Sequence, residues 1–212
     1  MNLESGGVAV VETGISLEIR DAEFDYFPLA DAVEGLLPCQ SGKILFLGRD
    51  WAEMGPMDQA RNRGKIGRVF DYHGWVHNLS VMENLVTACR THPARAIPDP
   101  EGEAEKMARR YGLPGVPNGR PGLMRKRDLR RCEWVRAFLG NPVLVVLERP
   151  EMDAPREALP ALFETAREAQ DRGTALLWMT QDREIMEQAK KMGAESYFVR
   201  GRTWHRREDE KR

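Results

Sequence analysis

The chain has 212 residues, of which 42% are apolar and 31% charged, so it can fold as one globular domain. Its formal charge of −1 excludes a global electrostatic attraction to nucleic acid or to an anionic membrane surface. Three widely separated cysteines without a C-x-x-C pair predict neither a disulfide framework nor a zinc site, and they favour a reducing compartment such as the cytoplasm.

The predicted elements begin with a β-rich part, in which VAVVETGISLEIRDAEFDY, KILFLGRD and KIGRVF alternate apolar and polar residues. Helical periodicity follows in SVMENLVTACR, EAEKMARRYGL and RDLRRCEWVRAFLG. The aliphatic run VLVVL is typical of a strand buried on both faces, and it is far shorter than the roughly 20 residues that span a bilayer. A helix, a second buried strand TALLWMT, another helix and the hairpin SYFVRGRTW complete a pattern that predicts a parallel α/β core.

The tripeptide Ser41-Gly42-Lys43 looks like the end of a phosphate-binding P-loop, G-x-x-x-x-G-K-[ST]. Its spacing does not fit, because Leu37 stands where the first glycine belongs and Ile44 stands where the hydroxyl belongs. The residues before it also lack the apolar run of a buried strand. The tripeptide is therefore interpreted as a turn that leads into the strand KILFL.

Four stretches in this order resemble the nucleotide-binding (ATPase) subunits of ABC transporters, over about residues 16–204. They are RGKIGRVF with WVHNLSVMENL, LRRCEWVRAFLGNPVLVVLERP, TALLWMTQD and SYFVRGRTW. The resemblance implies a P-loop-NTPase-like (RecA-like) mixed sheet in a single domain, with a core of residues 1–71 and 134–212 and a helical subdomain of residues 72–133.

In that resemblance, SGKILFLGRD corresponds to the hairpin that follows the P-loop, and Tyr26 stands at the position that stacks on adenine. Too few residues separate Tyr26 from Ser41 for a strand, a glycine loop and a helix. We therefore predict that the P-loop segment is deleted. Each charge-assisted hydrogen bond to phosphate contributes roughly 1.5–3 kcal/mol. The loss of several such bonds together with the P-loop predicts weak ATP binding.

The resemblance also places the residues that would hold Mg²⁺ and activate water. With Pro150 as anchor, Glu148 occupies the metal-associated position and Arg149 the position of the catalytic base, which a cation cannot replace. A register shifted by one residue keeps Glu148 as the base but puts Leu147 at the metal position. In either register one carboxylate is missing.

Two further positions differ from the family pattern. Gln181 stands where the switch histidine would contact the γ-phosphate, and Asp71 replaces the Q-loop glutamine. Asp71 either coordinates Mg²⁺ or caps a loop, and the second interpretation is favoured when the phosphate cradle is missing.

The signature motif, which would read L-S-G-G-Q, has lost both glycines. Its five positions are Met124, Arg125, Lys126, Arg127 and Asp128. Two interpretations are open for the three basic residues: their side chains reach the phosphates of ATP bound to a partner subunit, or they form a solvated helix start.

The segment DYHGWVHNLS corresponds to the surface that cups a helix of the membrane subunit, so Trp75, His77 and Asn78 are candidates for permease docking. Asp153, in the D-loop-like PEMDAP, is a candidate dimer contact. His73 and His77 are interpreted as ordinary loop histidines, and no metal site is predicted.

Together these residues predict a catalytically inactive subunit, a pseudo-ATPase without a cofactor of its own, since ATP and Mg²⁺ would bind only in a partner. Its predicted partners are an active ABC ATPase subunit and an integral membrane permease, through which it would lie on the cytoplasmic face of the membrane, with lipid as the proposed cargo. Neither nucleic-acid binding nor membrane insertion is expected. Two alternatives are a divergent ATPase that binds nucleotide through Tyr26, Glu148 and Asp71, and a soluble regulator without a permease.

Overall fold

The structure, a computed structural model, describes residues 8–12, 29–37, 43–72, 74–200 and 203–206. Its centre is a six-stranded sheet with the strand order β4-β5-β6-β1-β7-β8. The pairs are parallel except for the final hairpin β7–β8. The strands are β1 Val8–Glu12, β4 Ile66–Val69, β5 Leu144–Glu148, β6 Ala175–Thr180, β7 Glu195–Arg200 and β8 Thr203–Arg206.

Strands β5 and β6 are buried along their whole length, as their uninterrupted apolar sequences predict. Alternate residues face opposite sides of the sheet, so Val145 and Leu147 contribute to one apolar cluster and Val146 to another. The predicted parallel α/β core is confirmed, with helices on both faces of the sheet.

Seven α-helices and a small antiparallel hairpin are found in the described residues. The helices are α1 Leu29–Val33, α2 Pro56–Arg63, α3 Val81–Thr91, α4 Pro100–Arg110, α5 Lys126–Phe138, α6 Leu159–Asp171 and α7 Arg183–Lys191, and the hairpin strands are β2 Leu45–Phe46 and β3 Arg49–Asp50. Several helices begin with a side-chain cap. The Ser80 hydroxyl accepts a hydrogen bond from the Glu83 backbone N–H, and the Glu83 side chain returns to the Ser80 N–H.

Helix α5 ends against a buried cation. Arg95 is 1% exposed, and its guanidinium donates to the carbonyl oxygens of Arg136, Ala137 and Leu139 at the end of α5, and to that of Ile66 on β4. The three carbonyls at the end of α5 carry the partial negative charge of the helix C-terminus. Arg95 thereby fixes α5 to the edge of the central sheet.

Two predictions about the first half of the chain need correction. Helix α2 was expected to be part of a β-rich region, but Pro56 at its first position starts a helix. The interval between Tyr26 and Ser41 was predicted to be too short for a strand, a glycine loop and a helix, but it does contain the short helix α1. Residues 13–28 and 38–42, with Tyr26 and with Ser41 and Gly42 of the predicted turn, lie outside the described residues, so deletion of the phosphate-binding loop stays a prediction.

Helices α3 and α4 and most of α5 fall in the predicted helical subdomain, but α5 runs on past residue 133, where that subdomain was expected to end. The division of the chain into a core and a subdomain therefore stays a prediction. Within the described ranges, no helix combines the length and the apolar character needed to cross a bilayer.

Candidate functional site

The candidate site lies at the carboxyl edge of three neighbouring parallel strands, β4, β5 and β6. This edge is where open α/β sheets bind their ligands. The strands end at Val69, Glu148 and Thr180, and the chain then passes through Asp71, Arg149 and Gln181. Residues that the sequence singled out far apart along the chain therefore meet at one edge.

Arg149 and Asp71 form a bidentate ion pair. The Arg149 Nε lies 2.6 Å from Asp71 Oδ1, and the Arg149 Nη2 lies 2.5 Å from Asp71 Oδ2. The hydrogen bond with Asp71 raises the pKa of Arg149 and keeps its guanidinium charged. Asp71 is thus the partner of the arginine that replaces the expected base, rather than a free Mg²⁺ ligand or a simple loop cap.

The backbone around this ion pair is held in place. The Arg149 N–H donates to the carbonyl oxygen of Met179 at 2.8 Å, and Arg149 adopts a left-handed φ of 41°. On the other side, Arg130 donates to the carbonyl oxygens of Phe70 at 2.7 Å and Asp71 at 3.2 Å. The positions of both partners are therefore fixed by contacts beyond their own side chains.

Glu148 belongs to a second, buried ionic cluster. Its carboxylate accepts a hydrogen bond from Arg68 Nε at 2.6 Å. The same guanidinium donates through Nη1 to Asp31 at 2.7 Å and to Glu34 at 2.9 Å, both on helix α1 or just after it. Burial raises the pKa of Glu148, and Arg68 opposes part of that rise.

Thr180, at the end of β6, contacts a carboxylate in the turn after β5, Glu151, that the sequence reasoning missed. Thr180 donates its hydroxyl proton to Glu151 at 2.5 Å, and the Asp182 N–H donates back to the Thr180 hydroxyl at 3.0 Å. Burial raises the pKa of Glu151. Its only signal in the sequence is an acidic residue directly after the apolar strand and Pro150. Gln181, the expected switch position, is exposed beside this cluster.

The five signature positions lie at the start of α5. Arg125 is the N-cap residue and makes no side-chain cap, and Arg125, Lys126 and Arg127 are exposed. Asp128 accepts a hydrogen bond from Arg131 at 2.6 Å, and Met124 is half-buried. Exposed cations therefore surround a helix N-terminus, which itself carries partial positive charge. Beside them is an open groove of about 610 Å³, lined by Leu113, Pro114, Gly115, Val116, Pro117, Asn118, Arg127, Asp128 and Arg131.

The predicted docking role of Trp75 is corrected by its position. Trp75 is 7% exposed, belongs to the main apolar cluster and lies under the Arg136 guanidinium, 4.7 Å from the ring centre. A buried ring cannot anchor a partner without leaving the core. His77 and Asn78 are exposed, and their docking role stays a prediction, while His73 lies outside the described residues.

Large apolar side chains near this segment are exposed in place of Trp75. The exposed fractions are 69% for Tyr72, 52% for Val76 and 80% for Leu123. A hydrogen bond of 2.8 Å from the Val81 N–H to the Gly119 carbonyl joins the two segments that carry them. Asp153, the expected dimer contact, is exposed in the turn after β5 with a left-handed φ of 61°.

The comparisons with known proteins agree with this fold. No protein-family model matches the chain. Over 195 residues the chain is 27% identical to the phosphonates import ATP-binding protein PhnC of Hyphomonas neptunium, covering 82% of this chain and 72% of that one. It is 27% identical to the lipoprotein-releasing system ATP-binding protein LolD of Anaeromyxobacter dehalogenans, covering 71% of this chain and 64% of that one. It spans only 55% of the PhnC protein of Alcaligenes faecalis, at 26% identity and 66% of this chain.

Solved structures are similar over almost the whole chain. The dimeric ABC transporter cassette MJ0796 superposes with a TM-score of 0.77 and 15% identity, covering 97% of this chain and 88% of that one. The ATP-binding subunit of an ABC transporter superposes with a TM-score of 0.75 and 18% identity, covering 99% of this chain and 82% of that one. The fold is therefore that of an ABC ATPase cassette. The chain is a homologue of the ATP-binding subunits of ABC transporters.

This relationship corrects one prediction. The expectation that the chain is not an enzyme is wrong, because its relatives are ATP-binding proteins and MJ0796 is also known in a post-hydrolysis state with ADP and phosphate. That expectation was based on separate motif residues and on the interval between Tyr26 and Ser41, which was predicted to be too short for a strand, a glycine loop and a helix. The described residues contain both a strand, β1, and a helix, α1, on either side of residues 13–28.

The family implies Mg²⁺ as the companion of ATP, and the carboxylates at the two implied positions do not fit that ion. Mg²⁺ takes oxygen ligands at about 2.0–2.1 Å in near-octahedral geometry. Glu148 and Asp71, the two carboxylates at the implied positions, are each already bonded to a guanidinium at 2.6 Å or less. No group of three or more acidic, histidine or cysteine side chains suited to a metal is found in the described part of the chain.

Proposed function

We propose that the chain is a divergent ATP-hydrolysing subunit of an ABC transporter, which pairs with a second cassette and works with a membrane permease. The observation that carries this proposal is the cassette sheet itself, whose carboxyl edge gathers Glu148, Asp71, Arg149 and Gln181. The ATP-binding relatives support it.

Glu148 is the group best placed to act as the base in this divergent site. Burial raises its pKa, and a carboxylate whose pKa rises towards neutrality is a better proton acceptor at neutral pH. This assignment matches the register that leaves Leu147, a fully buried aliphatic residue, at the metal position. Arg68 fixes the orientation of the carboxylate through the 2.6 Å hydrogen bond.

The test is phosphate release from ATP by the purified chain, alone and together with the permease and cassette that co-purify with it. We expect Glu148→Gln to lower the rate by about 10²–10⁴-fold, the usual contribution of a general base. Glu53→Gln removes an exposed carboxylate elsewhere and serves as the matched control. A rate that Glu148→Gln leaves unchanged, or one no higher than buffer, would refute the proposal.

The basic start of α5 supports a role across the dimer. Arg125, Lys126 and Arg127 are exposed beside a positive helix N-terminus, so they suit the phosphates of a nucleotide bound to the partner. Replacing all three by glutamine should weaken nucleotide-dependent pairing of the two chains, measured by light scattering. A solvated helix start without this role would leave pairing unchanged.

The surface formed by Tyr72, Val76, His77, Asn78 and Leu123 is the candidate permease face. It is exposed and partly apolar, as an interface requires. Val76→Arg should reduce co-purification with the permease at an unchanged unfolding temperature. A chain that never co-purifies with a membrane protein would instead be the soluble regulator.

The expected location of the chain and its expected cargo depend on the relatives rather than on the site. Attachment to a permease would place the chain on the cytoplasmic face of the membrane. A lipid-linked cargo is supported by the lipoprotein-releasing relatives, whereas the phosphonate-import relatives favour a small anionic cargo. Stimulation of ATP hydrolysis by lipoprotein or by phosphonate, in the assembled complex, distinguishes these two cargo classes.

A further inference from the structure

Arg68 joins three carboxylates from separate parts of the chain. It lies on β4, and its guanidinium contacts Glu148 on β5 at 2.6 Å, Asp31 on α1 at 2.7 Å and Glu34 at 2.9 Å. The side chains of Arg68, Glu148 and Glu34 are 7%, 6% and 12% exposed. One buried cation therefore links helix α1 to two strands of the sheet at its carboxyl edge.

Such a set of carboxylates requires positive charge. Several buried carboxylates repel one another and lose their hydration, so they need a cation in direct contact if they are to stay ionised. Metal sites in proteins meet this need with a divalent ion held by oxygen atoms from several elements. Here the Arg68 guanidinium supplies the positive charge, with Glu148 at its Nε and with Asp31 and Glu34 sharing its Nη1.

The space around the guanidinium is also closed by the chain. The Phe70 ring lies against the Arg68 guanidinium, 4.5 Å from the ring centre. Asp71, a further carboxylate at this edge, accepts a hydrogen bond from the Arg149 guanidinium at each of its two oxygens. Neither oxygen of Asp71 is therefore left for a second cation.

We propose that Arg68 is a resident cation that takes the structural place of a divalent metal ion, so that helix α1 is held to the sheet without any metal. Arg68 would act in this way whether or not the chain binds nucleotide. Any Mg²⁺ that accompanies ATP would then be held by the nucleotide and by groups other than Glu148, Asp31 and Glu34.

The first test is a Mn²⁺ titration of the metal-free full chain, followed by the EPR signal of the free ion. We expect the wild-type chain to leave the ion free at this site. Stoichiometric binding that Glu148→Gln abolishes would overturn the proposal. Mn²⁺ binding that Glu148→Gln leaves unchanged takes place at another site. The unfolding temperature of Arg68→Gln, with and without Mn²⁺, then tests the proposal.

The second test uses Arg68→Gln, which removes the cation and leaves its three carboxylates. In EDTA we expect its unfolding temperature to fall by roughly 6–20 °C, and MnCl₂ to recover much of that fall. The wild type and Arg49→Gln, which breaks an exposed ion pair with Asp58 and serves as the control, should not respond to MnCl₂. A fall that MnCl₂ leaves unchanged, or no fall at all, would overturn the proposal.

If Arg68→Gln does not fold in EDTA, refolding it with and without MnCl₂ provides the same comparison. Arg68→Lys keeps a single positive charge at the centre of the cluster. It should fold in EDTA and stay independent of Mn²⁺, and a Mn²⁺ requirement in this variant would contradict the assigned role.

Discussion

Replacing Arg95 by methionine removes a buried charge but keeps most of the side-chain volume. The guanidinium is 1% exposed and donates to four carbonyl oxygens, those of Ile66, Arg136, Ala137 and Leu139. No carboxylate is needed to explain its position, because the end of a helix supplies the negative charge. Desolvation lowers the pKa of Arg95 to about 10, so the group stays charged at neutral pH.

The size of the effect follows from what is left behind. Each carbonyl that loses its donor in a buried place costs about 1–3 kcal/mol, while removing the desolvated charge offsets part of this. The contacts with the Leu139, Ile66 and Ala137 oxygens are buried, so we expect a net loss of about 3–5 kcal/mol in the free energy of unfolding.

Urea unfolding followed by circular dichroism measures this loss directly. For a chain of this length it corresponds to a fall of about 6–20 °C in the unfolding temperature. Arg110→Met is the control, because its bidentate contact with Glu168 is exposed and should contribute about 1 kcal/mol or less. If Arg95→Met unfolds within about 0.5 kcal/mol of the wild type, the proposed anchoring of α5 is wrong.

Three further predictions concern the site and its surroundings. A double-mutant cycle with Arg149→Gln and Asp71→Asn should give a coupling energy of about 0.5–3 kcal/mol in urea unfolding, and additive losses would show that the pair contributes nothing. Gly67→Ala should lower the unfolding temperature measurably, because the new Cβ would lie 1.8 Å from the backbone oxygen of Ala137; an unchanged value would mean that β4 and α5 separate freely. Burial alone would raise the pKa of Asp182, but backbone N–H groups and a guanidinium hold it below its ordinary value. Its stabilising effect is therefore present above about pH 4 and lost as pH falls through the folded-state pKa, so wild type and Asp182→Asn should converge in stability at acid pH and differ at neutral pH.

The parts of this fold that the sequence predicts well are those with local signals. The apolar runs of β5 and β6 and the periodic helices α3 to α6 can be identified from spacing alone, because burial on two faces or on one stripe dictates residue type directly. Helix α1 could not be identified so easily. It has five residues, and Pro28 and Asp31 make its sequence resemble a loop.

The arrangement of the site depends on contacts between distant residues. Arg149 and Asp71 are 78 residues apart, and each alone looks like the loss of a functional group. Only the pairing of strands brings the two substitutions together as one ion pair. The burial of Trp75 was missed for a similar reason, because the Arg136 guanidinium that packs on its ring belongs to the distant helix α5.

The place of β1 in the sheet also affects how the chain reaches its native state. Val8–Glu12 lies between β6 and β7, which are 163 or more residues later in the sequence. On the ribosome, this strand emerges well before either of its neighbours. Contacts with such large sequence separation slow folding, so β1 can pair with both neighbours only after all the residues up to β7 have left the exit tunnel.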